Sequence, residues 1–348
     1  MKGIRRPGNG QLTVGANHRP SRRPELARVL TCVLGLCVLW FGAAVPAAAQ
    51  TYPKGLVKLI VPFPPGGPTD VVGRIVAQQL QEAWGQTVLV ENKPGAGTMI
   101  GTDAVAKSAP DGQTIGMVIT AHMINPTLNA ASIPYDTLKD LAHVTQMVTQ
   151  HLVLVANPNA PFNTVRDMIG YAKSHPGKLS YASPGTGTSA HLAGELLKIE
   201  AGIDMVHVPY KGSGPAQMDL VAGRVDVMFD VYHSAKQLAE QGKLKVIALT
   251  SDTQPANIKG YPLVAEVVPG FNVTSLFGLI VRSGTPRPII DKIQEDTARL
   301  LHKPDVRARL ESLGLEVVGS TPERFESFVR TEIAKWAKVI KASNIKVD

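Results

Sequence analysis

The sequence has little cysteine and few aromatic residues. Only Cys32 and Cys37 occur in 348 residues, and both lie within the first 49. The rest of the chain therefore cannot form a disulfide or use a thiol in catalysis. Aromatic residues make up 5% of the chain, which argues against a surface on which nucleic-acid bases stack.

The sequence also lacks the usual motifs of enzymes. Its nine histidines include no His-x-x-x-His or His-Glu-x-x-His pair, so no metal site is expected. Neither a Gly-x-Ser-x-Gly nucleophile motif nor a Gly-x-x-x-x-Gly-Lys-Ser/Thr phosphate loop occurs. Ser189 and His191 are close in sequence, but at the start of a helix they point in different directions. We therefore expect no catalytic residues and no cofactor.

The positive net charge is concentrated at the N-terminus. The chain has 36 basic and 28 acidic residues, a formal net charge of +8. Residues 1–49 hold seven of the basic residues and one of the acidic ones, which leaves 29 and 27 and a net charge of +2. A chain so close to neutral has no bulk positive field, so we expect no nucleic-acid partner.

The N-terminal segment has the pattern of a secretory leader. Basic residues up to Arg28 precede an apolar run at residues 29–45, and Ala47-Ala48-Ala49 follows. This order predicts a signal peptide over residues 1–49, cleaved after Ala49. The expected location of the mature protein is the periplasm.

Two features of this leader are open. An uncleaved anchor helix is the alternative, although Gly35 and Gly42 weaken an apolar run of about 17 residues as a membrane span. The export route is also open, because residues 21–26 (SRRPEL) match a twin-arginine signal only in part. The long basic region leaves the start codon undecided.

Beyond the leader, apolar runs alternate with helical patterns, which predicts an α/β fold. We predict strands at 57–63, 87–92, 115–120, 151–156, 179–182, 205–209, 226–229, 244–250 and 276–281. We predict helices at 70–84, 99–108, 164–175, 189–201, 215–222, 234–241, 286–302 and 322–342. Thr164 and Thr321 are expected N-caps.

The pattern restarts after about residue 150, which predicts two domains. Residues 50–150 and 272–348 are expected to form the first domain, and residues 151–271 the second. Each domain is expected to hold a mostly parallel sheet flanked by helices. Two chain crossings between them would make a hinge.

A glycine-rich loop follows the first predicted strand and opens the first helix. It comprises residues 62–70 (PFPPGGPTD), in which Thr69 is a candidate N-cap and Asp70 a candidate acceptor for backbone amides. Glycine lets the backbone approach a ligand, and the N–H groups of a first helical turn attract anions. A plain strand-to-helix turn is the alternative. The candidate ligand-binding residues here are Phe63, Gly66, Gly67, Pro68, Thr69 and Asp70.

A second loop repeats this logic at residues 183–191 (SPGTGTSAH), between a predicted strand and a helix. Ligands of open α/β sheets bind at the carboxyl ends of strands. One loop from each domain would hold an acid from both sides. The candidate ligand-binding residues here are Ser183, Gly185, Gly187, Thr188 and Ser189.

Four further polar residues have more than one interpretation. His191 is a structural or ligand-lining side chain rather than a base, and His207 a packed, hydrogen-bonded one. Asp230, a candidate ligand residue, binds a ligand amine or caps the next helix. Lys211 either faces an acid or is a solvated lysine, the second being favoured.

Several short motifs occur together and in order along nearly all of the chain after the leader. Besides the two loops they include residues 90–97 (VENKPGAG), 110–114 (PDGQT), 125–128 (NPTL), 134–136 (PYD), 207–212 (HVPYKG) and 284–286 (GTP). In these the sequence resembles the solute-binding receptors of tripartite tricarboxylate transporters, the Bug family. It departs at residues 129–132 (NAAS), where relatives often carry an aromatic residue.

The resemblance implies a two-domain periplasmic receptor of the Venus-flytrap fold. It implies that the two glycine loops hold a carboxylate, with Thr120 and His122 in a third wall of the pocket. The expected partners are a small carboxylate and integral membrane transporter subunits, and a monomer is expected. The identity of the acid does not carry over, because members bind varied acids.

Two other functions compete with transport. A sensory receptor would share the binding chemistry and differ only in its membrane partner. An enzyme on the same scaffold would need a nucleophile–base pair or a metal, since a fold does not fix a function.

Overall fold

A computed structural model describes residues 52–345, together with Thr13 and Gly15. Apart from these two residues, the predicted leader lies outside the described residues, and so do both cysteines. The chain from Tyr52 onward forms one compact unit. None of the described helices combines the length and the apolar character needed to cross a bilayer.

Strands and helices alternate along the described chain. The strands are β1 (Val57–Val61), β2 (Val88–Asn92), β3 (Thr114–Ile119), β4 (Leu141–Ala156), β5 (Ser180–Ser183), β6 (Val206–Pro209), β7 (Val227–Val231), β8 (Lys245–Leu249), β9 (Thr274–Arg282) and β10 (Leu315–Val317). The helices are α1 (Pro68–Trp84), α2 (Met99–Ala106), α3 (Ala121–Leu128), α4 (Val165–Ser174), α5 (Ser189–Ala201), α6 (Ser213–Val221), α7 (Tyr232–Glu240), α8 (Arg287–Leu301), α9 (Pro304–Ser312) and α10 (Pro322–Ala342).

The strands join in the order β2-β1-β3-β9-β4-β7-β5-β6, with β8 and β10 also paired to β4. β1, β2 and β3 are parallel, and so are β5, β6 and β7. Antiparallel β9 and β4 lie between these two sets. β4 belongs to both: Leu141–His151 pair with β9, and Leu152–Ala156 pair with β7.

Every element predicted from the sequence is present, with ends shifted by at most two residues except at the start of β4, and four features were missed. The first ten residues of β4 were missed. Bulges at His143/Thr145 and Gln146/Val148 break the alternation of side chains that would have indicated a strand there. α3 was missed, and Pro126 stands inside it. The short elements α9 and β10 were also missed.

Two of the predicted N-caps are confirmed. Thr164 and Thr321 accept hydrogen bonds from the backbone N–H groups of Asp167 and Arg324. α10 buries one side of its surface, which matches the helical spacing of its apolar residues. The residues concerned are Phe325, Val329, Trp336, Val339 and Ile340.

One hydrophobic core includes residues from both predicted domains. Met123 and Trp336, from the first, belong to the same buried cluster as Leu192 and Phe229, from the second. The division into domains at residues 150/151 and 271/272 therefore stays a prediction.

Candidate functional site

The first glycine loop, residues 62–70, joins β1 to α1. Pro68 is the first residue of the helix and Gly67 its N-cap. The prediction that Thr69 caps the helix is wrong, because Pro68 already has the helical φ and places Thr69 inside the first turn. Gly66 has a φ of +87°, a conformation that strains other residues.

Asp70 fixes this loop from the inside. One carboxylate oxygen, Oδ2, accepts from the backbone N–H of Gly66 at 2.9 Å and from Nε of Arg74 at 2.8 Å. The other, Oδ1, accepts from the side-chain amide of Asn92 at 2.8 Å. The same amide nitrogen donates to the carbonyl oxygen of Phe63 at 2.9 Å. Asp70 thus bonds to a backbone amide, as predicted.

These contacts keep Asp70 ionised. The hydrogen bond from Arg74 is the largest cause, and it lowers the pKa of Asp70 to about 2 against the opposing effect of burial. The bonds from Gly66 and Asn92 act in the same direction. The first loop therefore encloses a negative charge that Arg74, half-exposed at the surface, balances.

The second glycine loop, residues 183–189, joins β5 to α5. Its helix begins at Ser189 with Thr188 as N-cap, whose hydroxyl accepts from the backbone N–H of His191 at 3.2 Å. That hydroxyl also donates to the carbonyl oxygen of Gly185 at 2.8 Å. Gly185 and Gly187 have φ values of +152° and +76°.

Two stacked histidines support the second loop from beneath. The backbone N–H of Gly187 donates to Nδ1 of His191 at 3.1 Å. The ring of His191 stacks on that of His207 at 3.9 Å with an angle of 9°. Nε2 of His207 lies 2.7 Å from the hydroxyl oxygen of Ser183. The prediction of a packed, hydrogen-bonded His207 is confirmed.

Both histidines are neutral at neutral pH. Burial is the main cause, and it lowers the pKa of each to about 4. The neighbouring ring His191 also lowers the pKa of His207. The second loop therefore rests on uncharged rings.

At the start of α1 and of α5, two backbone N–H groups have no hydrogen-bond partner among residues 52–345. In the first loop these are the N–H groups of Thr69 and Asp70. In the second loop they are the N–H groups of Ser189 and Ala190. Such first-turn donors, with the helix dipole behind them, favour an anion.

The strand register places both loops near one stretch of β4. β3 ends beside Phe277 of β9, which pairs with Val148 of β4, and β1 runs parallel to β3. From the other side, β7 ends beside Leu152 of β4, and β5 runs parallel to β7. The two sets of parallel strands thus point towards each other, with Val148–Leu152 between their carboxyl ends.

Thr120 and His122, the predicted third wall, have their side chains inside the protein. The Thr120 hydroxyl donates to that of Ser275 at 3.0 Å. His122 is 1% exposed, and its Nε2 lies 3.0 Å from Nε2 of His143. Burial lowers the pKa of His122 well below its usual value. The direct ligand contact expected of these two side chains stays a prediction.

Asp230 is buried, with both oxygens bonded. Oδ1 accepts from the Ser213 hydroxyl at 2.6 Å, and Oδ2 accepts from Nε2 of Gln217 at 2.7 Å. The next helix, α7, has Val231 as its N-cap, so the expected capping role is wrong. Instead the carboxylate attaches α6 to the end of β7. Its contact with a ligand stays a prediction.

Sequence reasoning missed the residues that support the loops. Asn92 and Arg74 hold Asp70. Behind the second loop, the Tyr181 hydroxyl donates to Glu195 at 2.6 Å, and Lys198 donates to Glu195 at 3.0 Å. The i,i+4 spacing of Asp70 with Arg74 and the i,i+3 spacing of Glu195 with Lys198 were the available signals. Among the described residues, no group of three or more His, Cys, Asp or Glu side chains is placed to hold a metal.

Comparison with known proteins identifies the family. Residues 72–345 match the sequence profile of the TctC family, described as the tripartite tricarboxylate transporter family receptor. The chain belongs to this family. It is similar to BugT of Bordetella pertussis, with 35% identity over 320 residues that cover 91% of this chain and 98% of BugT.

Solved structures of TctC-type proteins are also similar. Rpa4515 of R. palustris with adipate is 32% identical, with a TM-score of 0.72 over 85% of this chain and 99% of that one. MatC from Rhodopseudomonas palustris with bound malate is 31% identical, with a TM-score of 0.69 over 83% of this chain and 100% of that one.

These findings confirm the predicted family and the α/β fold of a periplasmic binding protein. TctC proteins are periplasmic solute-binding receptors, and that general function now applies to this chain.

Proposed function

We propose that this receptor captures a small organic carboxylate between its two glycine loops and delivers it to the membrane subunits of a tripartite transporter. The observation that carries the proposal is the pair of loops with unpartnered helix N-terminal amides, at strand ends that point towards each other across β4. We propose no catalytic step.

The number of available hydrogen-bond donors is sufficient for the expected affinity. A hydrogen bond to a charged group contributes on the order of 1.5–3 kcal/mol. Four to six such bonds would give roughly micromolar affinity after the cost of association. The first-turn amides of α1 and α5 supply four donors, and the hydroxyl of Ser189 is a further candidate.

Similar proteins support this ligand class. The two structures named above contain adipate and malate, which are both dicarboxylates. They support the proposal that the site of this receptor takes a carboxylate, while the acid itself is left to experiment.

The proposal includes closure of two domains about a hinge. Residues 50–150 and 272–348 form one domain, and residues 151–271 form the other. β4 passes from one set of strands to the other at His151/Leu152. A second connection lies nearby, where the N–H of Val273 donates to the carbonyl oxygen of Thr250 at 2.8 Å. A ligand held by both loops favours the closed state because it binds that state more tightly.

The proposal has three further parts: periplasmic location through the N-terminal leader, action as a monomer, and docking on membrane subunits. They rest on the family and on the leader pattern of residues 1–49.

A ligand panel tests the proposal. The processed protein, purified from the periplasm of its host, is titrated with mono-, di- and tricarboxylates while its Tm is followed. At least one acid should raise the Tm in a concentration-dependent way. Absence of stabilisation by every acid would contradict carboxylate capture, and turnover of a bound acid would contradict the absence of catalysis.

A further inference from the structure

The two glycine loops share one internal arrangement. In each, a glycine with positive φ donates its backbone N–H to the side chain four residues later. Gly66, at +87°, donates to Asp70 at 2.9 Å. Gly187, at +76°, donates to Nδ1 of His191 at 3.1 Å. The acceptor is a carboxylate in the first loop and an imidazole in the second.

The bond from Gly187 sets the protonation of His191. An imidazole nitrogen accepts a hydrogen bond only when it carries no proton. The ring must therefore be neutral, with its proton on Nε2. An imidazolium, which has an N–H at both nitrogens, would turn a donor towards the N–H of Gly187 and break the contact.

The surroundings of His191 favour this neutral form. The residue is 4% exposed, and its ring stacks on that of His207, where two positive charges 3.9 Å apart would repel each other. The ring of Tyr181 stacks on that of His207 at 4.8 Å and on that of His191 at 6.5 Å, and its hydroxyl donates to Glu195. Of the two charged groups nearby, Glu195 favours protonation of His191 and Lys198 opposes it.

The same bond decides which amides of the second loop can reach a ligand. Because the N–H of Gly187 is directed inward to His191, it is not available to an anion, contrary to the use of this glycine expected from the sequence. The free N–H groups at the start of α5 are those of Ser189 and Ala190. Their positions depend on the turn that Gly187 and Thr188 make.

We propose that His191 is the positioning residue of the second loop: its neutral Nδ1 holds Gly187 in the left-handed conformation and so directs the amides of Ser189 and Ala190 towards the ligand. This inference rests on the proposed function. It predicts that loss of the Nδ1 acceptor, or protonation of the ring, weakens carboxylate binding. A histidine that only fills space would show neither dependence.

The first test needs no ligand. Nitrogen-15 NMR of the ring should show a neutral imidazole with its proton on Nε2 at pH 7. The Gly187 amide should exchange slowly with solvent in the wild-type protein and in His191→Asn, whose side-chain oxygen can replace Nδ1. In His191→Gln, which has no acceptor at that position, the amide should exchange at least tenfold faster. A proton on Nδ1, or equal exchange in both variants, would overturn the proposal.

The second test measures affinity for an acid that stabilises the wild-type protein in the ligand panel. His191→Asn should bind within about threefold of wild type, and His191→Gln at least tenfold more weakly. His175→Gln, a change at an exposed histidine, should bind like wild type. Equal affinity of the Asn and Gln variants would refute a positioning role, whereas failure of every acid to bind wild type would refute the proposed function and leave the NMR test standing.

The pH profile separates positioning from packing. The ratio of wild-type to His191→Asn affinity removes the titration of the ligand itself, because both proteins bind the same acid. As pH falls from 6 to 4, this ratio should fall about twofold, because only the wild-type residue can gain a proton and a pKa of about 4 leaves half of its rings protonated at pH 4. A constant ratio would contradict the proposal.

Discussion

The first and second glycine loops reach a similar backbone arrangement with opposite electrostatics. Asp70 is ionised, takes three hydrogen bonds and is balanced by Arg74. His191 is neutral and is supported by a stacked ring instead of a charge partner. An inward-facing acceptor can thus be charged where a cation at the surface balances it, and uncharged where aromatic rings cover it.

Removal of Asp70 should have the largest effect. Asp70→Ala leaves the N–H of Gly66 without its acceptor and removes one of the two acceptors of the Asn92 amide. We expect a loss of about 3 kcal/mol in the free energy of unfolding, measured by urea denaturation, and weaker acid binding.

The control for this change is Asp291→Ala, which removes an exposed i,i+4 ion pair with Arg287. It should change the free energy of unfolding by less than about 0.5 kcal/mol. Similar losses in both variants would show that the Asp70 network has no special role.

A side chain at Gly187 should destabilise the second loop by a smaller amount. Gly187→Ala strains a φ of +76°, and the new Cβ would lie 2.8 Å from Cδ2 of Leu128. We expect a loss of about 1–2 kcal/mol in the free energy of unfolding. Gly214→Ala, in open space within α6, should instead stabilise the protein by up to about 1 kcal/mol. Destabilisation by both changes would rule out this explanation.

Acid should affect the two loops in sequence. Folding lowers the pKa of His191 and His207, which support the second loop, to about 4 through burial, so the unfolded chain binds more protons between pH 6.5 and 4. Their stabilisation is present above pH 6.5 and is lost as pH falls towards 4, at roughly 1.4 kcal/mol per pH unit for each independent group. The contribution of Asp70 is lost only between pH 3.8 and about 2.

Amide hydrogen exchange at several pH values tests which of the two loops responds to acid first. As the pH falls, the Gly187 amide should lose protection before the Gly66 amide does. Loss in the reverse order, or in one step that follows global unfolding, would contradict separate titration of the two loops.

The smallest effect is expected for Arg74→Gln. Arg74 is half-exposed, so screening by solvent keeps the contribution of its ion pair to stability small. Its hydrogen bond is nevertheless the main cause of the low pKa of Asp70. NMR titration should show a small rise in the pKa of Asp70, matched by a small loss of stability at pH 7, because one pKa unit corresponds to about 1.4 kcal/mol; an unchanged pKa would show that Gly66 and Asn92 suffice.

The sequence alone predicted the loops better than their supports. Glycines between an apolar strand and a helix pattern have local signals, and so do the caps Thr164 and Thr321. The burial of His122 against His143 could not be predicted, because it depends on how α3 lies on β4. The inward direction of the Gly187 amide depends in the same way on a side chain placed by the following helix.

The length of β4 has a practical consequence for fragments of this protein. A cut at residue 150 or 151 would divide a single strand, yet each half would keep its pairing partners: Leu141–Gln150 pair with β9, and Leu152–Ala156 pair with β7. The cut would instead expose the buried apolar cluster that both pieces share. Exposed apolar surface of this kind promotes aggregation. Separate expression of residues 151–271 should therefore give insoluble material.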